Sequence, residues 1–408
     1  MSNNQSTQQV RVCMVIDDFY PDVGGAQIYT QRLAQSLVHR GHKVTVITRQ
    51  LPSTKEYEEL DGLPIYRVPY KRGKGKAIAS ISFTIAAIKK LYKTAADYDI
   101  IHSHKVISPA TIGLLSRELL GKKLLIQPHS SSLAGALADM IYNRPITGPI
   151  RLKWMRYRAD CVVAISQQVL SDIKRIGVSD NKISFIPNGV DTNKFSPIPI
   201  DAQSLVRKAL DLPTNIIVTF VGRLDEVKQV DVLLRAWKSL QEMKIQAHLL
   251  IIGDGPERKR LQALTQCLQI DSTVQFLGSK KNIAEYLQVS NVFVMPSRAE
   301  SLGIALLEAM ACGIPCIASS VGGMRDIIQD MSNGLLVSSG NTSELTHQLS
   351  VLINDSELRS RLGCAGRIEI INRFSLDTAT DSFITTYKAI IEGRSFNFDV
   401  NRALDTNV

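Results

Sequence analysis

No stretch of this chain reaches the roughly 18 consecutive apolar residues that a membrane-spanning helix needs, so no transmembrane segment is expected. The first nine residues, Met1–Gln9, are polar and lack the apolar core of a signal peptide, which points to a cytoplasmic protein or one peripheral on the cytoplasmic membrane face. Cysteine is scarce at 6 residues, and most of the six lie in apolar runs. Cys312 and Cys316 have the spacing of half a metal site, but no second pair or nearby histidine completes one, so buried small hydrophobes are the better reading. A G-x-G-x-x-G fingerprint is also missing. Gly253-Asp254-Gly255-Pro256 has no third glycine at the required place, which disfavours a nicotinamide enzyme. No DNA- or RNA-binding motif accompanies the basic residues, so nucleic acid is not an expected partner.

What the chain does have is length and an uneven charge. Its 408 residues exceed one comfortable core, so two domains are expected. The formal net charge is +10, yet residues 1–200 hold 27 Lys and Arg against 15 Asp and Glu, so the first half carries the whole excess. Such a half suits an anionic surface or ligand.

Residues 295–323 organise the reading. An apolar strand, Val292 to Met295, stops at Pro296; a turn-rich loop follows; then residues 304–311 contain strong helix formers and no breaker. Gly313 and Pro315 end that helix, and residues 314–318 form the next buried strand. Glu300 sits in the loop and Glu308 inside the helix. A helix start gathers unpaired N–H groups and partial positive charge, so an anion can dock there with the acids flanking it. Alternatively, Glu300 serves the helix dipole and Glu308 lies on a solvated face.

The first half alternates strands and helices in the manner of a parallel sheet. Val10–Ile16 is a strand, Gly24-Gly25 a tight turn, and Gln27–Val38 an amphipathic helix. Strands ending at His104 and near His129 would place histidines at the ligand-facing edge of such a sheet. After Lys71-Arg72-Gly73-Lys74-Gly75-Lys76, residues Ile78, Ile81, Ile85, Ile88 and Tyr92 recur at helical spacing, ending in Lys89-Lys90 and Lys93. A basic loop leading into an amphipathic helix fits contact with an anionic membrane surface, and also fits a core-packed helix with a solvated loop. Trp154 and Tyr157, interleaved with Arg151, Lys153, Arg156 and Arg158, add to the first option. Residues 198–212 are bordered by prolines and read as a linker with a lead-in helix. A fresh strand, Ile216–Val221, then restarts the alternation and runs into Gly222-Arg223-Leu224 and Lys228. Two cations there suit a diphosphate, Arg as a fork and Lys as a point charge; an ordinary exposed basic pair would look the same.

These words together resemble the signature of family 4 retaining glycosyltransferases, also called glycosyltransferase group 1. The matching residues are Pro296-Ser297, Glu300, Glu308-Ala309-Met310-Ala311-Cys312-Gly313-Ile314-Pro315 and Gly322-Gly323, with Pro21-Asp22-Val23-Gly24-Gly25 in the first half. Gln27, Gln229 and Asp326 stand where that family often has Glu, Gly and Glu. The resemblance implies an α/β protein of the GT-B fold, with two Rossmann-like doubly wound parallel-sheet domains facing across a cleft. Residues 10–197, completed by a crossing-back helix at 375–392, would be the acceptor-side domain and 198–374 the nucleotide-sugar-binding domain. Residues 1–9 would be disordered and 394–408 frayed. It further implies a retaining, metal-independent hexosyltransferase without a cofactor, using a nucleotide-diphosphate sugar and an acceptor glycan or lipid-linked glycan. Donor binding falls to Gly24, Gly25, Gly222, Arg223, Lys228, Glu300, Leu302, Gly303, Ile304 and Glu308. His129, Glu300, Arg223 and Lys228 are the implied catalytic residues, with Glu300 on the donor sugar and Glu308 on the ribose. Competing readings are a catalytically silent nucleotide-sugar-binding subunit of a glycan assembly complex, or an epimerase or hydrolase of the same fold.

Overall fold

In the computed structural model the described residues are 9–21, 24–52, 54–70, 75–130 and 147–394. The expected disordered start and frayed tail lie almost wholly outside them, as do Asp22, Val23 and the basic loop 71–74. The chain divides into two units, Met1–Asn188 with Ala379–Val408, and Gly189–Thr378.

The first unit is built on strands β1 (Arg11–Val15), β2 (Lys43–Arg49), β3 (Tyr57–Leu60), β4 (Leu63–Val68), β5 (Ile100–His104), β6 (Lys123–Gln127), β7 (Cys161–Ala164) and β8 (Ile183–Phe185). Their order in the sheet is β3-β4-β2-β1-β5-β6-β7-β8. All pairings are parallel except β3 with β4. That edge strand was not foreseen: Glu58 and Glu59 interrupt any apolar signal, and its residues are only half-buried or exposed. The helix Leu376–Glu392 begins in the second unit and joins the first from Ala379 onward. There Thr380 Oγ1 meets Ser36 Oγ at 2.9 Å, Thr386 Oγ1 meets Ser184 Oγ at 3.2 Å, and Arg40 pairs with Asp381.

The second unit carries β9 (Ile216–Val221), β10 (Ala247–Ile252), β11 (Val274–Gly278), β12 (Val292–Met295), β13 (Cys316–Ser319) and β14 (Leu335–Val337). All are parallel, in the order β11-β10-β9-β12-β13-β14. Their apolar runs are continuous because both sheet faces are covered. Ile217, Ile252, Phe293 and Cys316 face one core with Leu306, Leu307 and Met310 of the helix Ile304–Ala311. Val218, Leu249, Val292 and Ile317 face the other, with Leu233 and Trp237 of the helix Val230–Glu242.

Cys312 and Cys316 are buried, as are Cys13 and Cys161, while Cys267 and Cys364 are exposed. The two exposed ones sit on the helices Arg258–Cys267 and Ser356–Arg373. The core-packed reading of the isoleucine row on the helix Lys76–Lys93 needs correction. Ala79, Phe83, Ala87 and Leu91 are buried, while Ile78, Ile81, Ile85 and Tyr92 are exposed. Among the described residues no helix is long and apolar enough to cross a membrane.

Candidate active site

In the second unit, β9 and β12 are parallel neighbours, pairing Val218 with Val292 and Thr219 with Phe293, so the loops that follow them leave the sheet side by side. The loop after β9 is clamped by the one after β10. The Gly222 N–H donates to the Ile252 carbonyl at 3.0 Å, Leu224 N–H to Asp254 O at 2.9 Å, and Glu257 N–H to Leu224 O at 3.0 Å. Gly253 has φ +137°, and a Cβ there would lie 1.8 Å from the Gly222 carbonyl oxygen, so only glycine fits. Held this way, Arg223 extends into solvent with its side chain 72% exposed, Nε 3.7 Å from Asp225 Oδ2. Asp225 Oδ1 is covered and accepts no hydrogen bond among the described residues.

A single 3-10 turn, Glu226–Lys228, then brings the chain to Gln229 at φ 49°, ψ 41°. This left-handed backbone explains why glycine would suit the position. Gln229 adopts it nonetheless, its Oε1 accepting from Ser339 Oγ at 2.9 Å. The Arg298 N–H donates to Val227 O at 2.7 Å and ties this loop to the one after β12. Lys228 Nζ forms an ion pair with Glu300 Oε2, the two side chains only 19% and 17% exposed.

Glu300 is fixed from behind. Gly323 N–H donates to its carbonyl at 3.3 Å, and a Cβ on Gly322, which has φ +51°, would meet that oxygen at 1.8 Å. Three residues later Gly303, at φ +91°, turns the chain into the helix Ile304–Ala311. Its carbonyl accepts from Leu306 and Leu307 N–H at 3.0 and 3.1 Å, and Gly303 itself has no side chain with which to cap the helix start. Leu302 is buried under the turn. Glu308 is 3% exposed, which removes the solvated-face reading. Burial, with the Glu308 charge adding to it, pushes the nearby Cys312 thiol up to about 12. Lys228, Glu300, Gly303 and the helix bearing Ile304 and Glu308 therefore form one constellation, with Gly222 and Arg223 on the neighbouring strand's loop. Ser297 and Ser319, at the ends of β12 and β13, have buried hydroxyls without a hydrogen-bond partner among the described residues. Ser297 had been noted only as part of the Pro296-Ser297 match, and Ser319 was missed, because a single serine ending a strand carries no distinguishing sequence signal.

The remaining sequence-singled residues belong to the first unit. Gly24, extended at φ −163°, precedes the helix Gly25–His39, and the Gln27 side chain folds against it. His104 ends β5, and His129 lies just beyond β6. The two are brought together: His104 Nδ1 is 3.0 Å from His129 Nε2. His102, two residues back on β5, stacks on His104 at 3.9 Å and takes a hydrogen bond partner in Tyr387 OH at 2.7 Å. Burial lowers His102 and His129 to about 3 each, aided by the charge of His129 on the former and of Lys105 on the latter. His104 is held well below its ordinary value by burial and by both neighbours. All three imidazoles are thus neutral, and His129 Nδ1 remains without a partner among the described residues. Beside them Lys105 bridges Asp17 at 2.7 Å and Asp18 at 3.4 Å, and Arg49 pairs with Asp18. His102 and this ion cluster were not singled out as site residues; the adjacent acids after β1 were the available signal. Among the described residues no group of three or more His, Cys, Asp or Glu could hold a metal ion.

Known proteins resemble this chain over nearly its whole length. N-acetyl-alpha-D-glucosaminyl L-malate synthase of Bacillus anthracis is 27% identical over 378 residues, 91% of this chain and 96% of that one. Sucrose-phosphate synthase of Thermosynechococcus elongatus superposes with a TM-score of 0.82 at 26% identity, covering 94% of this chain and 100% of the other. Anabaena HepE, solved with UDP-glucose, shares the fold with a TM-score of 0.79 at 20% identity, over 93% of this chain and 99% of its own. The model for Glycosyltransferase Family 4 matches residues 23–194, and that for Glycosyl transferases group 1 matches residues 203–369. With two parallel-sheet α/β units and a family match in each half, the chain has the GT-B fold and belongs to the group 1, family 4 glycosyltransferases.

Proposed function

We propose that this glycosyltransferase moves a sugar from a nucleotide-diphosphate donor to an acceptor hydroxyl, with retention of anomeric configuration and without a metal ion. The observation that carries this reading is the half-buried Lys228–Glu300 pair beside the glycine-led start of the helix Ile304–Ala311. Lys228, the amide-rich helix start and the exposed Arg223 fork supply positive charge where a diphosphate leaves. A diphosphate that takes Lys228 as its partner frees Glu300 for hydroxyls of the donor sugar. Glu308, buried one turn further along, is assigned to the ribose hydroxyls.

In the reaction the bond from the anomeric carbon to the diphosphate oxygen breaks, and a bond from the acceptor oxygen to that carbon forms. The departing phosphate oxygen takes the acceptor's proton, so no side-chain base is required. Neutral His129, with its uncommitted Nδ1, is assigned to the sugar ring as a hydrogen-bonding group rather than a charge. The acceptor is placed among glycans or lipid-linked glycans of cell-surface polysaccharide or glycolipid synthesis. The positive excess of residues 1–200 supports an anionic acceptor or its surroundings. Incubation with a panel of nucleotide-diphosphate sugars in EDTA tests the reading. Transfer to acceptor that persists in EDTA and retains configuration supports it; transfer that requires added divalent metal overturns the metal-independent part. Inverted product overturns the stereochemical part.

A further inference from the structure

The helix Lys76–Lys93 is apolar on two opposite sides, and only one of them is used inside the first unit. Ala79, Phe83, Ala87 and Leu91, spaced by four, lie at 4, 2, 0 and 0% exposure against the rest of the unit. Ser80 Oγ, on the same side, meets Ser108 Oγ of the helix Ser108–Leu120 at 3.1 Å. Ile78, Ile81, Ile85 and Tyr92 fall at 49, 59, 51 and 71% exposure. At 100° per residue these four fit within an arc of roughly 60°, opposite Phe83 and Ala87. Four large apolar side chains in one exposed row are a patch rather than the scattered exposure ordinary for a protein surface.

We propose that this row seats the first unit on an anionic lipid surface. Charge supports that occupant over another protein. Lys89 and Lys93 border the row, both are exposed, and neither is in an ion pair with a described residue. Lysines in that position extend their ammonium groups to headgroup phosphates while the isoleucines enter the acyl boundary. A second copy of the chain docked symmetrically on the same row would instead oppose these lysines to themselves. The helix Thr147–Arg158, which packs on Ser108–Leu120 just as Lys76–Lys93 does, repeats the composition with exposed Trp154 and Tyr157 among exposed Lys153 and Arg156. The surrounding half of the sequence supplies the long-range attraction, with 27 basic residues against 15 acidic among residues 1–200.

Co-sedimentation of the full chain with vesicles tests the assignment, using equal parts phosphatidylglycerol and phosphatidylcholine against phosphatidylcholine alone at low salt. The wild type is expected to pellet with the anionic vesicles only. Ile81→Gln/Ile85→Gln, at exposed positions that leave the core untouched, is expected to lower that partitioning about tenfold or more. Lys89→Gln/Lys93→Gln is expected to weaken it several-fold and flatten its salt dependence. A thermal melt of each variant confirms that folding is unchanged. The proposal is overturned if the wild type stays in the supernatant with anionic vesicles, or if the isoleucine variant binds them as well as wild type. It is equally overturned if light scattering without lipid shows a dimer that the isoleucine variant dissociates, since the row is then a protein interface.

Discussion

At the ends of β5 and β6 the first unit holds three neutral imidazoles, His102 and His104 fully buried and His129 partly so, whereas at the ends of β9 and β12 the second unit holds fixed charges in reach of water. The same strand-end geometry thus supports two kinds of chemistry. Buried histidines that cannot take a proton near neutrality offer directional hydrogen bonds, each with one donor and one acceptor nitrogen. Partly exposed Lys and Arg beside a helix start offer net charge that an anion can collect. In the proposed reaction the departing diphosphate would use the second kind and the sugar ring the first.

The contrast breaks most directly at Lys228. Lys228→Ala removes the cation beside the helix start and is expected to lower kcat/KM for transfer about 100- to 1,000-fold, with far-UV circular dichroism unchanged. Arg223→Ala, at a more exposed and flexible position, is expected to cost about tenfold. Product formation assayed across a panel of donors checks both, and wild-type rates in either variant would remove that residue from the diphosphate site.

Acid separates the units in a second way. Burial holds the folded-state values of the histidines at 102, 104 and 129 beneath the ordinary imidazole value of about 6.5. The unfolded chain therefore binds protons there that the folded chain refuses, and stability falls as pH drops from about 6.5 towards about 3. Each group contributes roughly 1 kcal/mol per pH unit in that window. Calorimetry between pH 7 and pH 5 should show the melting temperature falling, and less steeply in His102→Phe, which still fills the stacked position. An unchanged slope in that variant would mean His102 is not held neutral.

Smaller effects sharpen the second unit's side of the comparison. Gly322→Ala forces a Cβ against the Glu300 carbonyl at a positive φ, and is expected to cost about 1–3 kcal/mol while displacing Glu300. Urea denaturation and transfer rate should fall together. Gln229→Gly relieves a left-handed backbone at the loss of one exposed hydrogen bond, and is expected to stabilise by up to about 1 kcal/mol. A loss of stability in the same denaturation assay would show that the Ser339 contact outweighs the backbone relief.

Much of the second unit's site could be read from the sequence because its residues come in local words: Gly222-Arg223-Leu224, Glu300, and Gly303 leading into the helix with Glu308. The Lys228–Glu300 pair could not be read that way, since it joins residues far apart in the chain and depends on β9 lying next to β12. His102 was hidden for the same reason: its partner Tyr387 is on the returning helix. Glu308 is buried on a helix, Ile304–Ala311, that packs against the helix Ser356–Arg373, a tertiary arrangement that spacing alone does not reveal. The helix Lys76–Lys93 misled in the opposite sense. Its isoleucines gave the stronger periodic signal, yet small Ala79 and Ala87 with Phe83 and Leu91 make the close approach to the unit, a choice set by packing rather than by hydrophobicity.

The most direct test of the central claim is calorimetric titration of wild type and Lys228→Ala with a panel of nucleoside diphosphates in EDTA. The account predicts that at least one diphosphate binds the wild type without metal, and that Lys228→Ala weakens it about tenfold or more. Equal affinity in the two proteins, or binding that appears only when divalent metal is restored, would contradict it.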